Sequence, residues 1–296
     1  MNIKNEPIEV LSLFDGIACL RQALKELNIN VKNYYASEID KNAIKVAKEN
    51  HPDIIQIGDV RDVDGKKYDN ISIMAFGSPC QSLSSLKKDR TGLDSEDSGL
   101  FYEALRILKE VKPKYFIMEN VASMPHKARN IISNLLGVEP IRINSSLVGP
   151  ALRDRLYWTN IPGIYIPEDR NVFLKDIIED GYVDRSKSTA ILTKGIPWTR
   201  QGLKRYLTKS IGQVVFNSEE FVGLSKKEKL EQIDSMSDAE VKALFRPFTV
   251  AELEKCQTLP VGYVGNILRK TPSQHAIGNG FTIEVIKNLL SHLNFK

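Results

Sequence analysis

The chain has 296 residues, of which 42% are hydrophobic and 26% charged, a composition typical of an ordinary globular protein with a sizeable core. It has no apolar run long enough to span a membrane and no apolar signal core at its N-terminus, and its three distant cysteines and four unpaired histidines favour neither a disulfide framework nor a metal site. We therefore expect a cytoplasmic protein without a metal ion, and the formal charge of +4 is too small to indicate a nucleic-acid partner by itself.

Short apolar runs alternate with segments of helical spacing through the first half of the chain. Each run has the length of a buried strand, and most are closed by Gly, Asp or Glu. The predicted strands are residues 8–14, 34–38, 54–57, 71–76, 115–118, 140–144 and 156–159. Strands that alternate with helices predict an α/β fold with a doubly wound, mostly parallel sheet and right-handed crossovers.

The alternation of strands and helices ends after Gly163, where the composition also changes. We therefore predict a first domain over residues 1–165, a second domain over residues 166–268 and a C-terminal segment, residues 269–296, that returns to the first domain. Residues 274–280 are rich in small side chains and are predicted as a turn that opens an apolar helix.

The second domain contains a basic segment followed by two short charged helices. Between Arg185 and Lys209 there are seven basic residues and no acid, with two aromatic residues interleaved. This pattern is typical of a surface that neutralises phosphates, although it also fits a solvated basic face. Capping boxes that begin at Ser225 and Ser237 predict the two helices, which we interpret as a peripheral insert without a chemical role.

The ends of the first three strands carry groups that suit a nucleoside ligand. The turn after the first strand, residues 14–18, lacks a complete Gly-x-Gly-x-x-Gly pattern and so provides poorly for a dinucleotide pyrophosphate. Glu38 and Asp59 end the second and third strands, where carboxylates could accept the ribose hydroxyls and the exocyclic amine of adenine. Each feature alone can be structural, and Phe14 fits a core position as well as a ring against the adenine. Together the features favour S-adenosylmethionine over NAD as the cofactor.

Cys80 and Glu119 follow the fourth and fifth strands, and these residue types suit a reaction on cytosine. Gly77-Ser78-Pro79-Cys80 places a thiol at the carboxyl edge of the sheet, where open α/β folds bind their ligands. A thiolate that adds to C6 makes C5 nucleophilic, and a carboxylic acid at N3 lets the ring accept the charge. C5 can then attack the methyl group of a sulfonium, and loss of the C5 proton expels the thiol. A cysteine without such neighbours is more often a small buried hydrophobe.

The same residues resemble the motifs of the cytosine-C5 DNA methyltransferases, and the resemblance extends along nearly the whole chain. In chain order, the motifs are Phe14-Asp15-Gly16-Ile17, Gly77-Ser78-Pro79-Cys80-Gln81, Glu119-Asn120-Val121, Arg153-Asp154-Arg155 and Gly278-Asn279. Ala151 stands where most members have Gln, and with residues 12–18 it is similar to the animal de novo subgroup. Gly278-Asn279-Gly280 instead keeps the bacterial form, and residues 166–245 match no recognition pattern.

The resemblance implies a class I S-adenosylmethionine-dependent methyltransferase with a Rossmann-like catalytic domain and a smaller target-recognition domain. Such an enzyme methylates C5 of cytosine in double-stranded DNA after flipping the base out of the duplex, and releases S-adenosylhomocysteine. The roles implied are Cys80 as the nucleophile, Glu119 at N3 and the exocyclic amine, Arg153 at the O2 of the base, and Arg155 as a support of the nucleophile. The implied cofactor-binding residues are Phe14, Asp15, Gly16, Ile17, Glu38, Ile39, Asp59, Val60, Ser78, Pro79 and Asn279.

Two basic regions are expected to contact the DNA. One is the loop of about fifteen residues that follows Cys80, a length typical of a functional lid, and the other is the basic segment of the second domain. The expected DNA-binding residues are Lys87, Lys88, Arg90, Lys194, Arg200, Lys204 and Arg205.

Several alternatives to this function stay open. One branch of the superfamily methylates transfer RNA, and a catalytically inactive DNA-binding homologue would keep the fold without the reaction. An NAD-linked oxidoreductase is disfavoured because the pyrophosphate turn is missing. A cognate restriction endonuclease is a possible partner, the oligomeric state is not indicated, and a prokaryotic or phage-encoded enzyme would be associated with the nucleoid.

Overall fold

The computed structural model of the chain describes residues 6–77, 96–191, 196–209 and 212–293, with residues 96–98 described by their backbone alone. Contacts between Cα atoms divide the chain into two compact units. Unit 1 comprises Met1–Asn144, Asp154–Pro167 and Phe281–Lys296, and unit 2 comprises Ser145–Arg153 and Glu168–Gly280.

Nine strands and eleven α-helices lie within the described ranges. The strands are β1 (Ile8–Leu13), β2 (Val31–Ser37), β3 (Ile54–Gln56), β4 (Ile73–Phe76), β5 (Tyr115–Val121), β6 (Ile141–Asn144), β7 (Asp154–Thr159), β8 (Val214–Phe216) and β9 (Phe245–Pro247). The helices are α1 (Cys19–Glu26), α2 (Lys41–Asn50), α3 (Glu96–Val111), α4 (His126–Leu136), α5 (Arg200–Lys209), α6 (Glu219–Gly223), α7 (Lys226–Asp234), α8 (Asp238–Ala243), α9 (Val250–Cys256), α10 (Lys270–Asn279) and α11 (Ile283–Leu290). None of the helices in the described ranges is long and apolar enough to cross a bilayer.

Unit 1 is built on a seven-stranded sheet with the strand order β3-β2-β1-β4-β5-β7-β6. Neighbouring strands from β3 to β5 are parallel, whereas β7 runs antiparallel to both β5 and β6. The central strands β1 and β4 consist mainly of buried apolar residues, as expected for strands covered on both faces. The structure therefore confirms the predicted α/β fold with a mostly parallel, doubly wound sheet.

The core of unit 1 forms between the sheet and its helices. Its buried residues include Leu13, Phe76, Met118 and Trp158 from four strands, Phe101 from α3 and Ile132 from α4. Asp40 caps the start of α2, because its carboxylate accepts hydrogen bonds from the N–H groups of Asn42 and Ala43. α2 is therefore stabilised by a cap as well as by the burial of its apolar residues.

Unit 2 has a small core of its own, formed between the two-stranded sheet β8–β9 and its helices. Its central residues are Leu203 and Tyr206 of α5, Phe216 of β8, Ile233 of α7 and Phe245 of β9. Ser225 and Ser237 begin α7 and α8 with capping boxes, in which each serine and a glutamate three residues later satisfy each other's backbone N–H. Both predicted capping boxes are therefore confirmed.

Several elements differ from their predictions: β2 begins at Val31 rather than at residue 34, β7 begins at Asp154 rather than at residue 156, and β5 and α10 differ as well. β5 continues to Val121 rather than ending at Met118, because Glu119 and Asn120 pair with β7 although their side chains are polar. Residues 274–280 were expected to form a turn, but residues up to Asn279 belong to the helix α10. α10 packs against α9 with Ser273 and Ile277 buried, and this tertiary contact outweighs the weak helix propensity of its glycine and polar residues.

The boundaries of the two units also differ from the predicted domains. Residues 145–153 belong to unit 2, and the C-terminal return to unit 1 begins at Phe281 rather than at residue 269. The physical reason for the second difference is that α10 packs against α9 within unit 2. Gly278-Asn279, the last of the motifs that resemble the family, therefore lies in unit 2.

Candidate functional site

The carboxyl ends of β1 and β4 meet at the point where the order of the sheet reverses. From β1 the chain builds outward to β2 and β3 on one side, and to β4 and β5 on the other. The register pairs Leu13 with Phe76, so the turn after β1 and Gly77 after β4 lie side by side. Ligands of open α/β sheets bind in the crevice at such a reversal.

The turn after β1 has an unusual backbone. Phe14, Gly16 and Ala18 all adopt the left-handed conformation, with φ values of 53°, 61° and 61°. For residues other than glycine this conformation costs about 1–3 kcal/mol and is concentrated at functional sites. Turns with alternating backbone conformations gather N–H groups into a concavity that suits an anion such as a carboxylate. Ile17, between these residues, is buried.

Glu38, directly after β2, is held by three backbone N–H groups. Its Oε2 accepts a hydrogen bond from Gly16 N at 2.8 Å, and its Oε1 accepts from Ile39 N at 2.7 Å and Asp40 N at 2.9 Å. Because a carboxylate has about four acceptor positions, this arrangement fixes the group and still allows a contact with a ribose hydroxyl. The side chain of Ile39 beside it is 66% exposed, which offers an apolar surface to a flat ring.

Asp59 lies close to its predicted place but is already paired with a cation. Its carboxylate accepts hydrogen bonds from the Arg61 guanidinium, with Nε–Oδ1 at 3.0 Å, and from the Arg61 N–H at 2.9 Å. These hydrogen bonds hold the pKa of Asp59 below its usual value. An adenine amine would have to share the Asp59 carboxylate with Arg61. The next residue, Val60, which was also predicted to bind the cofactor, is buried in the core. The role of Asp59 at the adenine stays a prediction.

Asp15, in the turn after β1, is a buried carboxyl group. The hydroxyl of Tyr34 donates a hydrogen bond to its Oδ1 at 2.6 Å. Burial raises the pKa of Asp15 to about 7, and the charge of Glu38 acts in the same direction, whereas the hydroxyls of Ser12 and Tyr34 oppose the shift. The sequence analysis did not single out Tyr34. A fully buried tyrosine within a sheet needs a hydrogen-bond partner for its hydroxyl, and this requirement could have pointed to Tyr34 of β2.

Glu119 and Arg155 form an ion pair between adjacent strands β5 and β7. Arg155 Nε lies 2.8 Å from Glu119 Oε1, and the two side chains are only 15% and 10% exposed. Arg155 was expected to support the nucleophile, and in the structure its guanidinium contacts Glu119. A Cβ atom built at Gly77 would lie 3.5 Å from Glu119 Oε2, so the carboxyl group stands beside the end of β4. The chain that leads to Cys80 therefore leaves the sheet next to this acid.

Two further predicted residues belong to unit 2. Arg153 is 9% exposed, and its Nη1 donates a hydrogen bond to the carbonyl of Gly278 at 2.8 Å. Asn279 is the last residue of α10 and is exposed. The hydrogen bond of Arg153 joins two of the motifs that the sequence identified, although they lie far apart along the chain.

The cations expected to contact DNA differ in their surroundings. Lys204 forms an ion pair with Asp234. Arg200 donates from its N–H to Asp238 Oδ1 at 2.7 Å and from Nη1 to the Asp234 carbonyl at 3.1 Å. Arg205 is exposed. Acidic residues of α7 and α8, which the sequence analysis interpreted as a peripheral insert, therefore contact part of the basic helix α5.

Seven predicted site residues lie outside the described ranges. They are Ser78, Pro79, Cys80, Lys87, Lys88, Arg90 and Lys194. Within the described ranges, no group of three or more His, Cys, Asp or Glu side chains could hold a metal ion.

Comparison with protein families and curated proteins points to one kind of enzyme. Residues 8–137 match the family model of C-5 cytosine-specific DNA methylases. The orphan methyltransferase M.Rho11sI of Bacillus phage rho11s is 29% identical over 250 residues, which cover 79% of this chain and 49% of that protein. The orphan methyltransferase M.SPRI of Bacillus phage SPR is 28% identical over 275 residues, covering 88% of this chain and 58% of that protein. The chain thus spans about half the length of the curated relatives it matches.

Solved structures share the fold. The structure of Spodoptera frugiperda DNMT2 matches with a TM-score of 0.67 at 20% identity, covering 96% of this chain and 99% of that one. The Entamoeba histolytica methyltransferase EhMeth matches with a TM-score of 0.71 at 16% identity, covering 97% and 98% of the two chains. At these identities the likeness concerns the fold alone, and the fold is the methyltransferase type that the motifs implied.

Proposed function

We propose that the chain, whose residues 8–137 match the family model of C-5 cytosine-specific DNA methylases, transfers a methyl group from S-adenosylmethionine to C5 of cytosine in double-stranded DNA. The observation that carries the proposal is the position of Glu119. Its carboxyl group is held by Arg155 and stands beside the end of β4, where the chain continues to Cys80. The reaction requires an acid and a thiol, and Glu119 is the acid that the described residues supply.

The residues around the turn after β1 fit S-adenosylmethionine, which supplies a methyl group on a sulfonium when bound. Glu38 would accept hydrogen bonds from the ribose hydroxyls, because Gly16 and Ile39 fix its carboxylate from the backbone side. The left-handed turn would hold the carboxylate of the methionine part, and the exposed side chain of Ile39 would contact the adenine. The turn has no pattern for a pyrophosphate, which favours a nucleoside without phosphates.

The chain's own residues would act on the cytosine in a fixed order. We propose that the Cys80 thiolate forms a bond to C6 while Glu119 binds N3 and the exocyclic amine, so that the ring accepts the electron pair. With Arg155 on Oε1, the Oε2 of Glu119 would meet the base. Arg153 would hold the O2 of the base and favour charge on the ring. Removal of the C5 proton after methylation then breaks the bond between C6 and the sulfur.

This function requires the base to leave the duplex, since neither C5 nor C6 is accessible to a thiol within the stack. We propose that unit 2 is the target-recognition domain, and that cations of its α5 and of the loop after Cys80 contact phosphates. Transfer RNA methylation is the alternative substrate class.

Cys80→Ala provides the test of the mechanism, with Cys256→Ala as a matched control. Cys256 is buried, which raises the pKa of its thiol and makes it unreactive. We expect bisulfite sequencing of DNA from expressing cells to show methylcytosine with the wild-type protein and with Cys256→Ala, and none with Cys80→Ala. A duplex that carries 5-fluorocytosine at the methylated position should trap a covalent adduct with the wild-type protein, because fluorine cannot leave as the proton does.

Full activity of Cys80→Ala would refute the covalent mechanism. Methylation of purified transfer RNA but not of duplex DNA would replace the DNA substrate by RNA, while the roles of Cys80 and Glu119 would stand.

A further inference from the structure

Unit 2 contains a cavity of about 380 Å³ whose wall is strongly basic. The residues that line it come from the segment 184–189, from α5 and from α7, together with the apolar side chain of Leu152. Among the described residues that line it, four are cations and one is an acid: Arg185, Lys187, Lys226 and Lys229 against Asp184. None of these residues has a role in the methyl transfer proposed above.

Arg185 is held rigidly in this wall. Its Nε and Nη2 donate hydrogen bonds to the two carboxylate oxygens of Asp184, at 2.9 and 3.0 Å, and its guanidinium lies 4.3 Å from the ring centre of Tyr206. The hydroxyl of Tyr206 also donates to Asp184 at 2.8 Å, which fixes the carboxylate in turn. Arg185 Nη1 is buried and has no hydrogen-bond partner among the described residues. A buried N–H without an acceptor is costly, so this group favours a negative charge near the wall.

Lys229 supplies a cation that has no acidic partner among the described residues. The residue is only 9% exposed, and its Nζ donates to one neutral acceptor, the Val222 carbonyl, at 2.7 Å. A buried ammonium is ordinarily paired with a carboxylate, but in the part of the chain that the structure describes Lys229 forms no ion pair. Lys226 lies one turn earlier on the same side of α7 and is exposed.

Lys187 differs from the other two lysines because its ammonium is saturated. Its Nζ donates to the carbonyls of Ser146, Gly149 and Val172, at 2.8, 3.2 and 2.7 Å. An ammonium has three donors, so all of them are used within the protein. Its Nζ also lies 3.9 Å from Asp169 Oδ1, so Lys187 contributes neither a free donor nor an unpaired charge to the wall.

We propose that this cavity binds a phosphate group. Arg185 is paired with Asp184 and Lys187 with Asp169, so Lys226 and Lys229 leave an excess of positive charge that a phosphate neutralises better than a singly charged carboxylate does. These two lysines also supply N–H donors for the phosphate oxygens. The volume also accommodates the sugar to which a phosphate is attached. The phosphate comes either from the backbone of a nucleic acid, a source that rests on the function proposed above, or from a free phosphate compound.

The direct test measures the binding of inorganic phosphate to the full chain by line broadening in ³¹P NMR. We expect Lys229→Gln to weaken binding about tenfold, the effect of removing a hydrogen bond to a charged group, and Lys226→Gln to weaken it by up to about fivefold. The matched control is Lys227→Gln, which removes the same charge from the next position of α7. Lys227 is 85% exposed and does not line the cavity, so its replacement should change binding less than about twofold.

The three variants together decide both the site and the source of the phosphate. If Lys226→Gln and Lys229→Gln weaken phosphate binding no more than Lys227→Gln does, the proposal is wrong. Lys226 is exposed, so its variant keeps the test valid if Lys229→Gln fails to fold. If phosphate binding is confirmed, a salt titration of duplex binding identifies the source of the phosphate. A slope of log binding constant against log salt concentration that falls by about one unit in Lys226→Gln and Lys229→Gln, but not in Lys227→Gln, indicates nucleic acid. An unchanged slope indicates a free phosphate compound. Phosphate binding without any methylation would leave this site standing and refute only the proposed function.

Discussion

At the residue scale, the ion pair of Arg155 and Glu119 determines how the acid is presented. The two side chains come from adjacent antiparallel strands, and both are largely buried. Removing one partner of a buried pair leaves an uncompensated charge, which typically costs about 3–5 kcal/mol. Arg155 is therefore expected to act as a positioning residue whose replacement affects the reaction through Glu119.

We expect Arg155→Met to lower kcat by about 100-fold, the lower range for loss of a positioned acid or base, and Arg155→Lys to restore part of it. The matched control is Arg142→Met on β6, since Arg142 also pairs with an acid, Asp154, but is 69% exposed. Steady-state kinetics with duplex DNA would measure the effects. A rise in KM with unchanged kcat in Arg155→Met would contradict a role through Glu119.

Asp15 predicts a pH dependence of stability at the same scale. Its pKa is raised to about 7 in the folded chain, so the folded state holds this proton more tightly than the unfolded state does. The stability that the protonated group contributes is fully present below its ordinary pKa and is lost as the pH rises through about 7. Asp15→Asn removes this titration. The free energy of unfolding of the variant minus that of wild type should therefore be higher at about pH 8 than at about pH 5, by roughly a few kcal/mol.

Urea unfolding at a series of pH values would measure this difference, with Asp62→Asn as a control on an exposed acid. His51 contributes the opposite slope, because burial lowers its pKa to about 4 and its neutral form is favoured in the folded state. Since Asp15→Asn, Asp62→Asn and wild type all retain His51, its contribution to the pH dependence cancels when they are compared. A difference between Asp15→Asn and wild type that does not change with pH would contradict the proposed titration.

At the scale of elements, the end of β4 must approach β5 and the start of the C-terminal segment closely. A Cβ atom built at Gly77 would lie 3.2 Å from Phe281 Cε1 and 3.5 Å from Glu119 Oε2. The first distance is tighter than ordinary van der Waals contact, so Phe281 would have to move. Glycine at this position therefore allows the acid, the ring and the chain toward Cys80 to lie together.

We expect Gly77→Ala to destabilise the protein by about 1–3 kcal/mol, the usual cost of overpacking, and to lower kcat as well. The double variant Gly77→Ala/Phe281→Leu should recover part of the loss, because the smaller side chain makes room for the methyl group. Thermal unfolding and methylation kinetics of the two single variants and the double variant would form the cycle. Strictly additive effects would show that the contact with Phe281 is not the cause.

The sequence predicted those elements whose signal is local. The strands of the sheet were identified because they are continuous apolar runs, and the helices α7 and α8 because Ser225 and Ser237 begin capping boxes. β5 was predicted too short because the polar Glu119 ends its apolar run, while the pairing that extends it comes from β7. α10 was missed because glycine and other small residues dominate its second half.

The same distinction holds for the site. The position of Glu38 beside the turn after β1 could be predicted because parallel strands bring their carboxyl ends to one edge, and this placement follows from chain order alone. The pairing of Arg155 with Glu119 could not be predicted from the sequence, because it depends on the register between two antiparallel strands. The neutralisation of Lys204 by Asp234 was missed for a related reason, since only the packing of α5 against α7 brings these residues together.

At the scale of the whole molecule, the distribution of charge matters more than its sum. The formal net charge is only +4, yet a single cavity wall in unit 2 holds four cations against one acid. Along α5, by contrast, Lys204 pairs with Asp234, so an isolated count of basic residues overstates the charge available to a nucleic acid. Contacts with phosphates are expected from cations without acidic partners.

Arg205 and Lys204 provide a matched pair for this last expectation, because they are adjacent on α5 and carry the same charge. Each cation that neutralises a phosphate contributes about one unit to the slope of log binding constant against log salt concentration. If the chain binds duplex DNA as proposed, Arg205→Gln should lower this slope by about one unit. Lys204→Gln should lower it less, since the ammonium is already paired with Asp234 and its removal frees that carboxylate. Fluorescence anisotropy at several salt concentrations would measure both slopes, and an equal or larger effect of Lys204→Gln would show that the ion pair opens when DNA binds.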